Sequence, residues 1–217
     1  MKQTLFFCLC LFFFHLMAAQ HPSGGGLVTI NRNAGLYLHR YQALARDTSV
    51  LEGNYEMLYK NKTMERGCYH NNRRVGVWQF FNLDNALEFC YDFDDGKASR
   101  YVIPEDGVFD VPCLFLGSPL IPHFFLVQRL YYPSSEYDST VEQEVQVALR
   151  INKEGKLTGT RLVKNASARL DETVLKAASQ MPSHWQWLPA QINNMPVESD
   201  YIIKIIFEPA KQAAPAQ

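Results

Sequence analysis

The sequence predicts an α+β fold in two parts: an antiparallel β-meander, then a three-stranded antiparallel sheet with two helices in the order helix, strand, strand, helix, strand. Three observations point there. A glycine followed two residues later by a large aromatic recurs at Gly53-x-Tyr55, Gly67-x-Tyr69 and Gly76-x-Trp78. Turn residues punctuate the same stretch at Asn61 and Lys62, His70 to Asn72, Leu83 to Asn85 and Asp94 to Gly96. From Pro119 onward the apolar spacing switches between the period of a helix and that of a strand.

The chain opens "MKQTLFFCLCLFFFHLMAAQ", with one positive residue at Lys2, a run rich in Phe and Leu, and small residues at Ala18 and Ala19. That is the tripartite form of a secretory signal peptide over residues 1–19, cut before Gln20. The alternative is an uncleaved membrane anchor. A spanning helix takes about 20 apolar residues, and this run is shorter and interrupted by His15.

Export to an oxidising compartment changes how the cysteines read. Cys8 and Cys10 leave with the signal, and Cys68, Cys90 and Cys113 remain, enough for one disulfide at most. Cys68 and Cys90 fall on segments that read as neighbouring strands, which makes them the candidate pair. No two cysteines have zinc-ligand spacing, so neither a metal nor a disulfide framework is expected and the core must hold the fold.

About 198 of the 217 residues follow the cut, room for one large or two small domains. With 21 basic and 22 acidic residues the net charge is -1. No basic cluster stands out, which argues against a nucleic-acid partner or an anionic membrane surface. Aromatic residues at 13% suit β-rich structure.

Gly24 to Gly26 form a short lead-in, and the aromatic strands follow. In a strand the glycine and the aromatic two residues on share a face, so the small residue leaves room beside the ring. Tyr55, Tyr69, Trp78, Phe80 and Tyr91 read as core and cross-strand packing. The segment "VGVWQFFNLDNALEFCYDFDDGK" resembles MORN-like tandem repeats, a resemblance covering about residues 53–103. It implies a structural or interaction module.

A connection from Val102 to Pro119 breaks the alternation, and Ser118-Pro119 offers a helix start. One helix is expected from Leu120 to Tyr131, stopped by Pro133. "VEQEVQVALRIN" alternates as a half-buried strand. "NKEGK" is a hairpin loop with Gly155 supplying positive φ, and "LTGTRLV" returns as the partner strand. "LDETVLKAASQM" is a second helix with Leu170, Val174, Ala178 and Met181 on one stripe, Asp171 as N-cap, and Leu170 and Leu175 as a hydrophobic staple. The last strand, "VESDYIIKIIFE", puts Val197, Tyr201, Ile203, Ile205 and Phe207 on one face.

Between them, "MPSHWQWLPAQINNMPV" concentrates Trp185, Trp187 and Pro189 where the second helix must turn back to the sheet. The expectation is a structural corner packed on the core; the alternative is an aromatic ligand-binding surface.

Residues from about 117 to 208 resemble the C-terminal domain of TonB energy transducers. The motifs that carry this are "LYYP" (Leu130 to Pro133), the hairpin "VQVALRINKEGKLTGTRLVKN", "LDETVLKAA", "WLPA" (Trp187 to Ala190) and the closing "MPVESDYIIKIIFE". The resemblance implies partner binding by strand addition at the sheet edge, with a segment of an outer-membrane transporter as the partner and a homodimer through the same edge as a further expectation. It assigns partner-binding roles to Tyr132, Pro133, Tyr201, Ile203 and Ile205.

The expected organisation is a signal peptide (1–19), a β-rich MORN-like domain (20–112), a TonB-like domain (113–209) and a disordered tail (210–217). The reading is a non-catalytic periplasmic or cell-envelope protein that binds or scaffolds a partner. The alternative is a TonB-type energy transducer keeping residues 1–19 as anchor; a compact aromatic module in place of a Pro-rich spacer speaks against it. No nucleophile elbow, helical His pair or phosphate-cradling loop occurs. Asp92, Asp94 and Asp95 read as a solvated turn beside Gly96, and Cys68 with His70 lacks an orienting third group. No cofactor and no small-molecule substrate are expected.

Overall fold

The computed structural model describes residues 26–101, 108–131 and 141–209. The signal-like segment 1–19, Tyr132, Pro133 and the tail 210–217 lie outside them. Seven strands form the first sheet: β1 (Leu27–Ala34), β2 (Tyr37–Leu44), β3 (Asp47–Tyr59), β4 (Lys62–His70), β5 (Arg73–Phe81), β6 (Leu87–Asp92) and β7 (Lys97–Ser99). Each pairs antiparallel with the next, so the meander is borne out. Lys60 with Asn61, and Asn71 with Asn72, have positive φ at both positions. This is the tight-turn geometry that matches the right-handed twist of the flanking strands.

The three glycines serve two purposes rather than one. A Cβ on Gly67 would overlap the ring of Trp78, which crosses from β5. Gly53 and Gly76 instead sit at φ +96° and +60°, and Gly76 has open space around it. Around Gly67 the rings of Tyr55, Tyr69 and Trp78 meet at centroid distances of 5.2–5.4 Å. Trp78 is buried together with Phe80, Phe89, Met57 and Met64.

The chain then runs through β8 (Leu114–Phe115), α1 (Leu120–Val127), β9 (Gln143–Ile151), β10 (Leu157–Lys164), α2 (Ala168–Ala178), β11 (Trp187–Leu188), β12 (Gln191–Ile192), β13 (Met195–Pro196) and β14 (Ser199–Phe207). The main C-terminal sheet has the order β10-β9-β14, all antiparallel, with α2 across it and α1 against α2. The expected α+β class holds. Gly155, at φ +71°, turns the β9–β10 hairpin as expected.

Three helix boundaries differ. Helix α1 ends at Val127, four residues before Tyr131, because Arg129 and Leu130 donate to the carbonyls three residues back and tighten the last turn. Helix α2 starts earlier than Asp171. Ser167 is its N-cap, accepting from the Leu170 N–H, while Asp171 sits in the first turn and accepts from Ala166 N at 2.9 Å. Leu170 is therefore a buried core residue and not a staple. Helix α2 ends at Ala178, three residues before Met181.

The connection between the sheets is stitched to both. Leu114 and Phe115 pair with Leu188 and Trp187, and Val111 bridges Gln191. On the other side, Glu65 is almost fully buried, pairs with Arg74 at 3.0 Å and accepts from Ser118 N at 3.3 Å. Arg74 also donates to the Leu116 carbonyl at 3.0 Å and lies 4.2 Å over the Trp78 ring. Ser118 Oγ donates to the Phe81 carbonyl. Phe124 of α1 packs on Tyr59 and Tyr37.

Two measurements check this packing. Gly67→Ala is expected to lower stability by about 1–3 kcal/mol through overpacking against Trp78, and Gly76→Ala by about 1 kcal/mol through its φ alone, both read as denaturant midpoints. Glu65→Ala strands the partly covered Arg74 guanidinium and the Ser118 N–H and is expected to cost about 3 kcal/mol. The double variant Glu65→Leu/Arg74→Leu should recover more than half of that loss.

Candidate partner-binding edge

Strands β10 and β14 are the two borders of the C-terminal sheet, and they differ in regularity. β14 pairs with β9 over nine residues in unbroken register, from Ser199 opposite Ile151 to Phe207 opposite Gln143. β10 slips twice, between Leu157 and Gly159 and between Leu162 and Lys164. Slips of this kind bend a strand and blunt its border against further pairing. Among the described residues no strand pairs with the outer border of β14. Alternate residues there direct N–H and C=O groups away from β9.

Alternation gives β14 two rows of side chains. Tyr201, Ile203, Ile205 and Phe207 face the core with Val145, Val147, Leu149, Leu170 and Val174. Three of the sequence-predicted partner-binding residues, Tyr201, Ile203 and Ile205, therefore lie in the inward row, and a strand added at this border meets them through the main chain. Tyr132 and Pro133 fall outside the described residues. The Tyr201 ring lies 4.9 Å from that of Trp187, and burial raises its phenol pKa.

Trp187 is 4% exposed and packs on Phe115 at 4.9 Å, while the half-buried Trp185 rests against Phe115 and Phe125. A Cβ on Gly155 would meet the Trp187 carbonyl and approach Pro189. The β9–β10 hairpin thus seats directly on the Trp187–Pro189 corner. Burial also pushes the nearby Cys113 thiol up to about 12, against a hydrogen bond with Ser199 that pulls it down.

Apart from Lys204, a charge of the kind that discourages self-association at an edge, the outward row is the part that sequence reasoning passed over. It runs Asp200, Ile202, Lys204, Ile206, with Ile202 52% and Ile206 47% exposed. Glu144 on β9 reaches both Lys204 and Lys164 at 3.1 Å and accepts from Gln146 at 2.6 Å. Hydrogen bonds from Gln146, Lys204 and Lys164 hold its carboxyl down to about 2. Asp200 is matched by Arg150 and Arg161. The available signal was the pair of isoleucines standing where a half-buried strand places polar residues.

Two concavities lie elsewhere. A groove of about 860 Å³ on the meander is lined by apolar and polar side chains together: Tyr41, Tyr55 and Val77 stand beside Arg40, which pairs with Glu56, and Arg66, which donates to Gln79. A cleft of about 170 Å³ lies between the sheets beside Glu88, Tyr101, Phe115 and Tyr201. The described residues contain no His, Cys, Asp and Glu grouping of metal-site form. Asp92 caps its own turn by accepting from Asp94 N and Asp95 N.

The disulfide expectation is corrected. Cys68 on β4 stands opposite Val75 and Cys90 on β6 opposite Gln79 of the intervening β5, so two strand spacings, about 9.5 Å across the strands, and a four-residue offset along them separate the pair, beyond the roughly 7 Å that a disulfide spans between Cα atoms. All three thiols are free.

Residues 128–209 match the family model described as Gram-negative bacterial TonB protein C-terminal. That segment is similar to the TonB C-terminal domain, which supports this reading of the C-terminal half. The match takes in most of the TonB-like domain from the end of α1 through β14 and leaves out the meander, whose MORN-like reading remains a resemblance. No curated protein and no solved structure matches the chain.

The charge lattice of the TonB-like domain has a pH signature. A carboxyl whose folded value is depressed stabilises above its ordinary value and loses that contribution as pH falls to the folded one. For Glu144 the window runs from 4.5 down to about 2. Glu144→Gln is expected to lower the urea midpoint at neutral pH, with the gap to the parent closing across that window. A gap independent of pH would contradict the assignment.

Proposed function

We propose that this is a non-catalytic cell-envelope protein that binds a protein partner by strand addition at the outer border of β14, with the meander as a scaffold fixed to the binding domain. The observation that carries this reading is the nine-residue, unbroken register of a border strand with no pairing partner among the described residues. Main-chain groups on such a border pair with an extended segment and set its register, and the flanking side chains decide which segment is held. The family matched by residues 128–209 supports an envelope setting and a protein partner.

An extended segment of an outer-membrane transporter is the partner the TonB-like resemblance favours. On this reading the division into a β-rich domain (20–112) and a TonB-like domain (113–209) is functional: one presents the edge, the other orients it. The direct attachment of the meander to α1 and to Ser118 favours a scaffold over a transducer whose binding domain works at the end of a long spacer.

A photo-crosslinking residue placed at Ile202 or Ile206 is expected to yield protein adducts in the envelope, whereas the same residue at Arg161 on β10 yields none. Adducts absent at β14, or equal from both borders, would overturn the reading.

A further inference from the structure

Building on the strand-addition reading, we propose that the segment captured by β14 carries an acidic residue flanked two positions away on each side by apolar residues. Its carboxylate lies opposite Lys204 and its apolar pair opposite Ile202 and Ile206.

The argument starts from the outward row. A strand added to β14 sets its own outward side chains beside Ile202, Lys204 and Ile206, because paired strands keep the same alternation. Ile202 and Ile206 are half exposed with Lys204 between them. Two apolar neighbours at the same spacing would cover both. Lys204 shares the Glu144 carboxylate with Lys164, so two ammonium groups meet one carboxylate and the centre of the border keeps a positive charge. An incoming carboxylate balances it.

The pattern apolar, any, acidic, any, apolar is the same read in either direction, so it holds for parallel and antiparallel addition alike. The same geometry disfavours a second copy of this chain paired antiparallel about Lys204, which would set two ammonium groups directly opposite each other. The carboxylate of Asp200, one step along the row, is already matched by two guanidinium groups and leaves the apolar and basic positions to decide.

The test uses the full chain and three fluorescent seven-residue peptides read by polarisation. In each, threonine alternates with the central three outward residues: valine, glutamate, valine in the first; valine, lysine, valine in the second; serine, glutamate, serine in the third. The first is expected to bind at least about fivefold more tightly than either of the others. Lys204→Gln should bring the first two peptides level, and Lys204→Glu should reverse their order. Ile202→Ser/Ile206→Ser should weaken both while keeping their ratio. Thermal melting confirms that each variant is folded.

Equal binding of the glutamate and lysine peptides to the parent chain would overturn this inference and leave strand addition standing. An unchanged preference in folded Lys204→Glu would do the same. Binding of no peptide to the parent chain would overturn strand addition and this inference together.

Discussion

Backbone N–H and C=O groups demand partners, and a β-sheet satisfies them everywhere except along its two borders. The C-terminal half of this chain is arranged around that constraint. β9 is central and almost wholly covered, β10 is twice bulged, and β14 alone stays straight with its outer groups unmatched by strand pairing among the described residues. It stays straight because four of its side chains, from Tyr201 to Phe207, are committed to the core at every second position. A slip of one residue would expose all four. The same commitment that builds the core therefore holds the border strand in one unbroken register.

Attachment of the meander depends on a different balance. Desolvation raises the Glu65 carboxyl pKa despite the Arg74 guanidinium beside it. A pair of this kind fixes geometry more than it adds stability, since the cost of dehydrating both charges offsets most of their attraction. The stabilising share comes from rings, with Phe124 on Tyr59 and Tyr37 and Trp78 under Arg74. The polar atoms then decide which way the two sheets face: Glu65, Arg74 and Phe81 hold the main chain and hydroxyl of Leu116 and Ser118 through specific bonds. One end of that connection also pairs with Trp187 and Leu188, so the orientation is passed on to the corner beneath Tyr201.

Much of this was legible in the sequence because period and turn chemistry are local. The meander order, the Gly155 hairpin, the stripe of α2 and the inward row of β14 all follow from side-chain spacing within a dozen residues. What escaped depends on atoms distant in the chain. The choice of Ser167 over Asp171 as N-cap turned on where the β10 strand released the chain, since both residue types can cap. Cys68 and Cys90, by contrast, are excluded as a pair by the same turn signals, since the turns at His70 to Asn72 and Leu83 to Asn85 bound a strand between them and a meander keeps chain order in space. The roles of Gly67 and Gly76, alike in sequence, separate only once Trp78 is seen to cross over one and not the other. For the proposed binding edge, apolar alternation marks the inward residues as core; Ile202 and Ile206 break the outward pattern, a quieter signal.

The outward row matters because main-chain pairing by itself comes close to cancelling. Fixing each residue of a captured segment costs about 1–2 kcal/mol of backbone entropy, while each new main-chain hydrogen bond returns about 1 kcal/mol net of water. A flexible segment of any sequence therefore gains little from the border of β14 alone. Covering half-exposed Ile202 and Ile206 adds on the order of 1 kcal/mol each, and a charge opposite Lys204 adds a fraction of that. These terms are small next to the gross main-chain energies, yet they are what remains after those energies offset one another. On the proposed strand-addition reading, discrimination among extended segments is accordingly set by the three side chains that the core does not use.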